Sequence, residues 1–385
     1  LDIKKLNSKL QAAVSGRPAS SEDSRQDGER LSSKQRATSY FEFWPTWFMY
    51  LPVALQWLGL SVKHRSLTLP LLANPRIALA GMVGASKHEL MSQAHGRCAA
   101  AILPWVHVLV TEEDSAFQSR KCIDSAGKRG IALPFVCKPD MGCRGSGVKL
   151  IHTLEQLAEV IAQYPVGSAL ICQKLASFEP EVGIFYVRSP DCEIGEVVSL
   201  TIKQTPSVIG DGVHTLEQLV AQDDRAKNLL SLYRDRNAAD WSRVLAEGER
   251  HRLLFSASHC RGAVFSDARE HITPELVSAV NEIMADLPEF YYGRMDVKFS
   301  DLDNLKCGKN LQIIEINGAS SESIHIWDKN ARLVDAIKTL LWQYRTLFHL
   351  GAHQRNTGLN PPGLKVLIKS WLRERELTRH YPATD

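Results

Sequence analysis

Val136-Cys137-Lys138-Pro139-Asp140-Met141-Gly142-Cys143-Arg144-Gly145-Ser146-Gly147-Val148 is the stretch on which the reading of the fold turns. An apolar run over 131–137 reads as a buried strand. It delivers one lysine, a proline turn, and then three glycines interleaved with an arginine and a serine. Glycines let backbone N–H groups converge on a phosphate chain without side-chain interference, and a lysine at a strand end adds a fixed positive charge. The pattern predicts a nucleoside triphosphate site. It is not a P-loop, because Gly147 is followed by Val148 before Lys149, and no Ser or Thr follows that lysine. Nor is it the dinucleotide fingerprint, since the glycines run G-x-x-G-x-G and not G-x-G-x-x-G. A glycine-rich surface turn is the plain alternative for the segment taken alone.

A second constellation lies far downstream. Tyr291-Tyr292-Gly293-Arg294-Met295-Asp296-Val297-Lys298-Phe299 alternates as a strand does, and so does Leu311-Gln312-Ile313-Ile314-Glu315-Ile316-Asn317-Gly318. The polar segment between them predicts a hairpin. Side chains two apart on a strand face the same way, so Arg294 and Asp296 share one face, as do Glu315 and Asn317 on the partner. Two carboxylates, an amide oxygen and an arginine suit a hard cation such as Mg²⁺ bridging phosphate oxygens, with the arginine stabilising developing negative charge. The alternative is that Asp296 and Glu315 are only the polar positions of amphipathic strands. The apolar residues flanking both argue against it, because a carboxylate among them needs a partner.

Lys138 with its glycine loop, then Arg294-x-Asp296, then Glu315-x-Asn317, in that order, resembles the ATP-grasp superfamily. The likeness is to the D-alanine–D-alanine ligase-like branch and, second, to cyanophycin synthetase, over roughly residues 76–345. The resemblance implies an α+β fold of two lobes clasping ATP, with ATP and Mg²⁺ (or Mn²⁺) as cofactors. It gives Lys138 the adenine and α-phosphate side of the nucleotide. Lys87 follows as a second phosphate contact, although Ser86 stands where the family has aspartate. Gly142, Gly145, Ser146 and Gly147 match the loop that closes over the phosphates. Gln173 stands where many relatives have glutamate, and Leu175 matches the backbone that hydrogen-bonds adenine. Glu181 matches the carboxylate that holds the ribose hydroxyls, with Glu179 as the alternative. Asp296, Glu315 and Asn317 match the metal ligands. Arg294 matches the arginine that steadies the transferred phosphoryl group or tetrahedral intermediate.

Thr205-Pro206-Ser207-Val208-Ile209-Gly210-Asp211-Gly212, followed by His214-Thr215-Leu216-Glu217-Gln218-Leu219, resembles a block of cyanophycin synthetase near nucleotide and substrate. That likeness makes Lys203 a phosphate-contacting catalytic residue. His259-Cys260-Arg261-Gly262 falls where relatives carry a substrate-side loop, which brings in Arg261. Read without the family, Gly210-Asp211-Gly212 is a turn and Thr215-x-x-Gln218 a helix capping box.

The 385 residues are 44% hydrophobic and 23% charged, ordinary values for a globular chain with room for two or three subdomains. A formal net charge of +3 is too small to argue for nucleic acid. Eight cysteines without a C-x-x-C, some inside predicted strands, fit reduced thiols in a cytoplasmic protein. Residues 1–38 read as a disordered polar lead. Residues 39–86 form an aromatic-rich segment ending in a remnant strand, 77–81. An ATP-grasp domain spans 87–345, with lobes at about 87–178 and 179–345, and a basic tail covers 346–385. The aromatic stretch 40–60 has three readings: packing on the body, burial in a partner or second copy of the chain, or shallow membrane contact at the inner face. Helices are expected over 154–163, 223–236, 238–248, 274–286 and 331–348, with strands near 168–174, 181–188 and 195–203. The implied reaction joins a carboxylate to an amine through an acyl phosphate. A hydroxyl kinase and a non-catalytic nucleotide-binding scaffold are the alternatives. Where relatives often carry T-x-P-G after the asparagine, this chain has Gly318-Ala319-Ser320-Ser321-Glu322-Ser323, so the acceptor differs from D-alanine.

Overall fold

The computed structural model describes residues 41, 44–142, 147–255 and 262–385. Its architecture is α+β, built on two antiparallel sheets and a small hairpin. The strands in chain order are β1 (Trp105–Leu109), β2 (Phe135–Pro139), β3 (Lys149–Ile151), β4 (Ala169–Lys174), β5 (Glu181–Val187) and β6 (Glu196–Gln204). They are followed by β7 (Ser207–Ile209), β8 (Arg250–Arg252), β9 (Val264–Asp267), β10 (Tyr292–Phe299) and β11 (Leu311–Asn317).

The first sheet has the order β1-β4-β2-β3. Helices Ser115–Gly127 and Leu154–Gln163 pack with it over a core that includes Phe135, Cys137, Ile151, Leu157, Ile161 and Leu170. The second helix starts where expected: the Thr153 side chain accepts from Gln156 N, and Leu157, Val160 and Ile161 recur on one face. The C-terminal helix Leu364–Arg379 and the residues after it return to this sheet. There Tyr381 donates to Met141 O (2.9 Å), Asp385 N to Val148 O (3.0 Å) and Leu150 N to Asp385 Oδ2 (2.9 Å). Both flanks of the glycine loop are therefore braced from the far end of the chain.

The second sheet has the order β11-β10-β5-β6-β9. Val182, Ile184 and Tyr186 of β5 and Met295, Val297 and Phe299 of β10 point to one side. They meet Leu276, Val280 and Met284 of helix Pro274–Ala285 there. Thr273 caps that helix and Pro274 opens it, as the sequence predicts. Leu90, Met91, Cys98 and Ile102 also enter this core, while His88 of the same segment stacks on His107 of β1, so residues 87–102 touch both sheets. Alternation leaves Glu181, Gly183 and Phe185 of β5 and Arg294, Asp296 and Lys298 of β10 on the opposite side. The β7–β8 hairpin and helices Leu216–Gln222 and Leu230–Arg236 close a smaller core around Leu216, Tyr233 and Trp241.

Three sequence expectations are corrected. Residues 77–81 are not a strand: Ala78–Gly81 is a 3₁₀ turn with Leu79 and Ala80 in the left-handed region. No neighbouring strand offers them a ladder. Their carbonyls instead receive Ala319 N (2.9 Å) and Ser320 N (3.1 Å), while Gly81 lies so close to Gly318 that a Cβ would come 2.9 Å from its Cα. Buried Asn74 fixes this turn, donating to Ala80 O and Tyr292 O and accepting from Tyr291 N and Tyr292 N. Residues 238–248 are turns and not a helix. Trp241 is drawn inward, Arg243 pairs with Asp240 and Glu249, and Gly248 has positive φ. The last long helix runs Leu333–Asn356, beyond the expected 348.

The aromatic segment forms one helix, Thr46–His64, with Pro52 inside it. Met49 and Val53 pack against Ile326, Ala336 and Leu340, and the Trp57 ring meets Phe348 at 5.2 Å.

Gly293 sits where β10 presses closest on its surroundings: an added Cβ would overlap the Asn317 carbonyl oxygen and the Phe290 ring. Gly293→Ala should cost about 1–3 kcal/mol as an overpacked site. Urea denaturation checks it, and an unchanged midpoint would refute the close approach.

Candidate active site

Strand register builds the site. Residues opposite each other in an antiparallel ladder point the same way. Across the second sheet, Glu315 faces Asp296, which faces Gly183, then Thr201, then Asp267. One row along, Lys298 faces Glu181, which faces Lys203; in the other direction Asn317 faces Arg294. The expected hairpin thus exists in the register needed to bring Arg294, Asp296, Glu315 and Asn317 onto one surface. Gly183 leaves room at its centre: a Cβ there would meet Ile324 Cδ1 at 3.1 Å and Arg294 Cδ at 3.2 Å.

The register slips between Asp296–Glu315 and Val297–Ile313, leaving Ile314 as the extra residue of a bulge. Its carbonyl accepts from Lys138 Nζ at 2.7 Å. Lys138 ends the β2 run, and its second acceptor is Gln173 Oε1 (2.8 Å) on β4. Lys87 opens helix Lys87–Met91, capped by Ser86, and its ammonium lies 3.5 Å from Glu315 Oε1 and 3.0 Å from Gly142 O. Asp140 pins this helix, accepting from His88 N at 2.6 Å. A cation from the first sheet therefore reaches the strand backbone beside Glu315, and one from helix Lys87–Met91 reaches its carboxylate.

Arg294 Nε is 2.8 Å from Asp296 Oδ1, and Nη2 is 3.3 Å from Oδ2. Lys203 Nζ lies 2.8 Å from both Asp296 Oδ1 and Glu181 Oε1, and Lys298 Nζ lies 3.2 Å from Glu181 Oε2. Burial alone would raise Asp296, but Arg294 and Lys203 hold it well below the usual carboxylate range. Glu315 is likewise held down against burial by Lys87 and Lys138. Burial pushes Lys138 down to about 8. For Lys203, Asp296 and Glu181 outweigh burial and raise it. Five cations (Lys87, Lys138, Lys203, Arg294, Lys298) surround three carboxylates (Glu181, Asp296, Glu315), so the surface suits an anionic ligand.

Glu181 belongs to this cluster, whereas Glu179 is exposed and pairs with Arg252. Gln173 is buried at the base of Lys138, and Leu175 follows β4, half-buried. Gly142 and Gly147, both with positive φ, flank the glycine loop. Gly145, Ser146 and Arg261 lie outside the described residues. Just past the last of these, Arg225 holds the Gly262 and Ala263 carbonyls.

The sequence reading did not name Lys298, although alternation after Asp296 points to it. It also gave no role to His325 or a charge state to Glu322, both on the segment that roofs the far end of the face. Glu322 O accepts from Arg294 Nη1 (3.2 Å), and its Oε2 accepts from Trp327 Nε1 (3.3 Å). Burial pushes the Glu322 carboxyl up to about 7. His325 Nδ1 lies 2.8 Å from Ser199 Oγ; burial, helped by Arg269, lowers it to about 3, so the ring is neutral.

Among the described residues, no three His, Cys, Asp or Glu side chains cluster as a metal site by themselves. Asp296 and Glu315 are nonetheless adjacent, ionised oxygen donors. Asn317 shares their face, and its Nδ2 is buried without a hydrogen-bond partner among the described residues. Such a set fits Mg²⁺ held jointly with phosphate oxygens, since that ion commonly takes only one or two protein carboxylates.

No protein-family model and no curated protein matches this chain. It is similar to a bifunctional glutathione synthetase from Pasteurella multocida, at 15% identity and TM-score 0.35, over 66% of this chain and 35% of that one. The D-cycloserine synthetase DcsG is similar at 13% identity and TM-score 0.35, over 69% of each chain. The D-alanine–D-alanine ligase from Bacillus anthracis is similar at 13% identity and TM-score 0.40, over 71% of this chain and 69% of that one. The chain therefore spans about a third of the synthetase from Pasteurella multocida and about two thirds of the other two.

Proposed function

We propose that this chain is an ATP-grasp ligase, which uses ATP to activate a small-molecule or peptide-like carboxylate as an acyl phosphate and joins it to an amine or other nucleophile. The observation that carries the reading is the arrival of Lys138 at the Ile314 carbonyl and of Lys87 at Glu315, next to the Asp296–Glu315 pair of the second sheet. Lys138 and Lys87 come from elements distant in sequence from the second sheet, which adds Lys203, Arg294 and Lys298, so a triphosphate between them would be neutralised from both sides.

In this reading Lys138, Lys87 and Lys203 bind the phosphates. Gln173 and the Leu175 backbone border the adenine, and Glu181 accepts from the ribose hydroxyls. Asp296, Glu315 and Asn317 would hold Mg²⁺ or Mn²⁺, whose charge neutralises phosphate oxygens when bound. A substrate carboxylate oxygen attacks the γ-phosphorus, and the bond to the β-phosphate bridging oxygen breaks, releasing ADP. Arg294 stabilises the charge on the transferred group. The nucleophile then adds to the acyl carbon and phosphate leaves with the bonding electrons. Glu322 takes the proton that an ammonium acceptor must lose. Closure of the two sheets over the nucleotide would exclude water that would hydrolyse the acyl phosphate. Four buried free cysteines, Cys98, Cys122, Cys137 and Cys172, are compatible with a reducing cytoplasm.

The first test is thermal denaturation with Mg-ATP, for wild type beside Lys138→Ala. A ligand at about a hundred times its dissociation constant stabilises by roughly 2.7 kcal/mol, and the variant should lose most of that shift. Equal shifts in both proteins would remove Lys138 from the site. Hydroxylamine added to turnover mixtures should yield a hydroxamate, and Asp296→Asn should abolish it. ADP release without hydroxamate would favour a hydroxyl kinase.

Glu322 supplies a pH test. Its carboxyl is raised in the folded state from an ordinary value of 4.5 to about 7. Between those values the folded chain binds a proton that the unfolded chain lacks, so stability falls as pH rises through that window. Glu322→Gln carries no such penalty. Its melting temperature should exceed that of wild type at about pH 8 and lose this advantage below about pH 5. A difference independent of pH would show that the carboxyl is not desolvated.

A further inference from the structure

Helix Thr46–His64 has two faces of opposite circumstance. Met49 and Val53 are buried against the Leu333–Asn356 helix, and Gln56 Nε2 donates to Leu341 O at 2.7 Å. On the other side Trp47, Phe48, Leu51, Leu55, Leu58 and Val62 stand 71%, 45%, 46%, 64%, 58% and 80% exposed. Trp47, Leu51, Leu55, Leu58 and Val62 follow one another at intervals of three or four residues, the spacing that lines side chains along one stripe. No Asp, Glu, Lys or Arg occurs between Thr46 and Val62. At about 1.5 Å per residue the stripe runs for some two dozen ångströms. A continuous apolar face of this kind marks an interaction surface.

The charges beside it have one sign. Lys63 and Arg65 follow the stripe and are exposed, and Arg355 donates to His64 O at 2.7 Å. Arg345 reaches Gln56 Oε1 at 3.3 Å, near the middle of the helix. The crowding is felt by the neighbouring imidazoles. His64 is lowered by burial, Lys63 and Arg355, and His349 by burial, His64, Lys63 and Arg345.

We propose that this face docks the protein on an anionic lipid surface, with the apolar stripe among the upper acyl chains and Lys63, Arg65, Arg345 and Arg355 on headgroup phosphates. The helix lies on the bilayer and does not cross it: among the described residues no helix is long and apolar enough to span, and the opposite face of this one is committed to protein. Charge selects lipid over a second copy. Lys63 and Arg65 end the stripe with positive charge that headgroup phosphates neutralise and that a second copy, carrying the same charges, does not.

Vesicle co-sedimentation of the full chain tests this independently of the nucleotide reading. Vesicles of phosphatidylcholine mixed with phosphatidylglycerol should carry the protein down, and pure phosphatidylcholine should carry far less. Added salt should weaken the anionic binding. Leu55→Glu with Leu58→Glu should reduce binding by at least about tenfold, with an unchanged melting temperature because both positions are exposed. Arg345→Ser with Lys63→Ser, which leaves the stripe intact, should remove the preference for the anionic vesicles. Protein that stays in the supernatant with both vesicle types overturns the proposal. So does a dimer in analytical ultracentrifugation that Leu55→Glu with Leu58→Glu dissolves, which would assign the face to a second copy.

Discussion

The Asp296 carboxylate is the constraint around which this molecule is arranged. A charge in the interior of a five-stranded sheet is costly unless partners compensate it. Arg294, two residues away on the same strand, and Lys203, two strands across, do so from opposite sides. Gly183, opposite Asp296 in the ladder, carries no side chain, and a Cβ there would press on Ile324 and on the Arg294 side chain that pairs with the carboxylate. Lys203 also ties in Glu181, which then needs Lys298. The row of charges is a connected network in which removing one member leaves another buried without compensation.

Much of this network was legible because a strand obeys a period of two. Arg294-x-Asp296 and Glu315-x-Asn317 could be assigned to shared faces before any coordinates existed, and their pairing follows from a short polar connection. Helix caps at Thr153, Thr215 and Thr273 were equally readable, since each cap is a local hydrogen bond between neighbours in sequence. What escaped was set by distant contacts. The bulge at Ile314, which frees a carbonyl for Lys138, shows in the sequence only as the adjacent Ile313 and Ile314, where the alternation slips, and nothing there says what the freed carbonyl meets. The turn at Ala78–Gly81 is apolar enough to pass for a strand, and only Asn74 and the loop after Asn317 dictate otherwise. Residues 238–248 have helical composition, but the carbonyls of Trp241, Arg243 and Leu245 accept from Glu217, Leu216 and Gly212 and not from within a helix.

The two sheets divide the labour. The first presents one cation at the end of an apolar strand and a loop held at both flanks; the second presents an extended charged face. Between them the polar contacts at the charged face are Lys138 to a backbone carbonyl and Lys87 to one carboxylate oxygen, beside an apolar join that includes Ile171. These two contacts are polar, so an anion could replace them and draw in the cations of both sides. The excess of positive charge along the face means that the anion completes a balance the protein leaves open.

The packing of helix Thr46–His64 on helix Leu333–Asn356 also has a consequence in time. The partner begins 269 residues after the first helix ends (333 minus 64). At a synthesis rate of roughly 5–20 residues per second, the first helix leaves the ribosome roughly a quarter to a full minute before its partner exists. Throughout that interval both of its faces, not one, are uncovered. A nascent chain of this design has to be shielded early, by a chaperone or by a surface that accepts apolar side chains, so its folding is ordered by when the two ends meet.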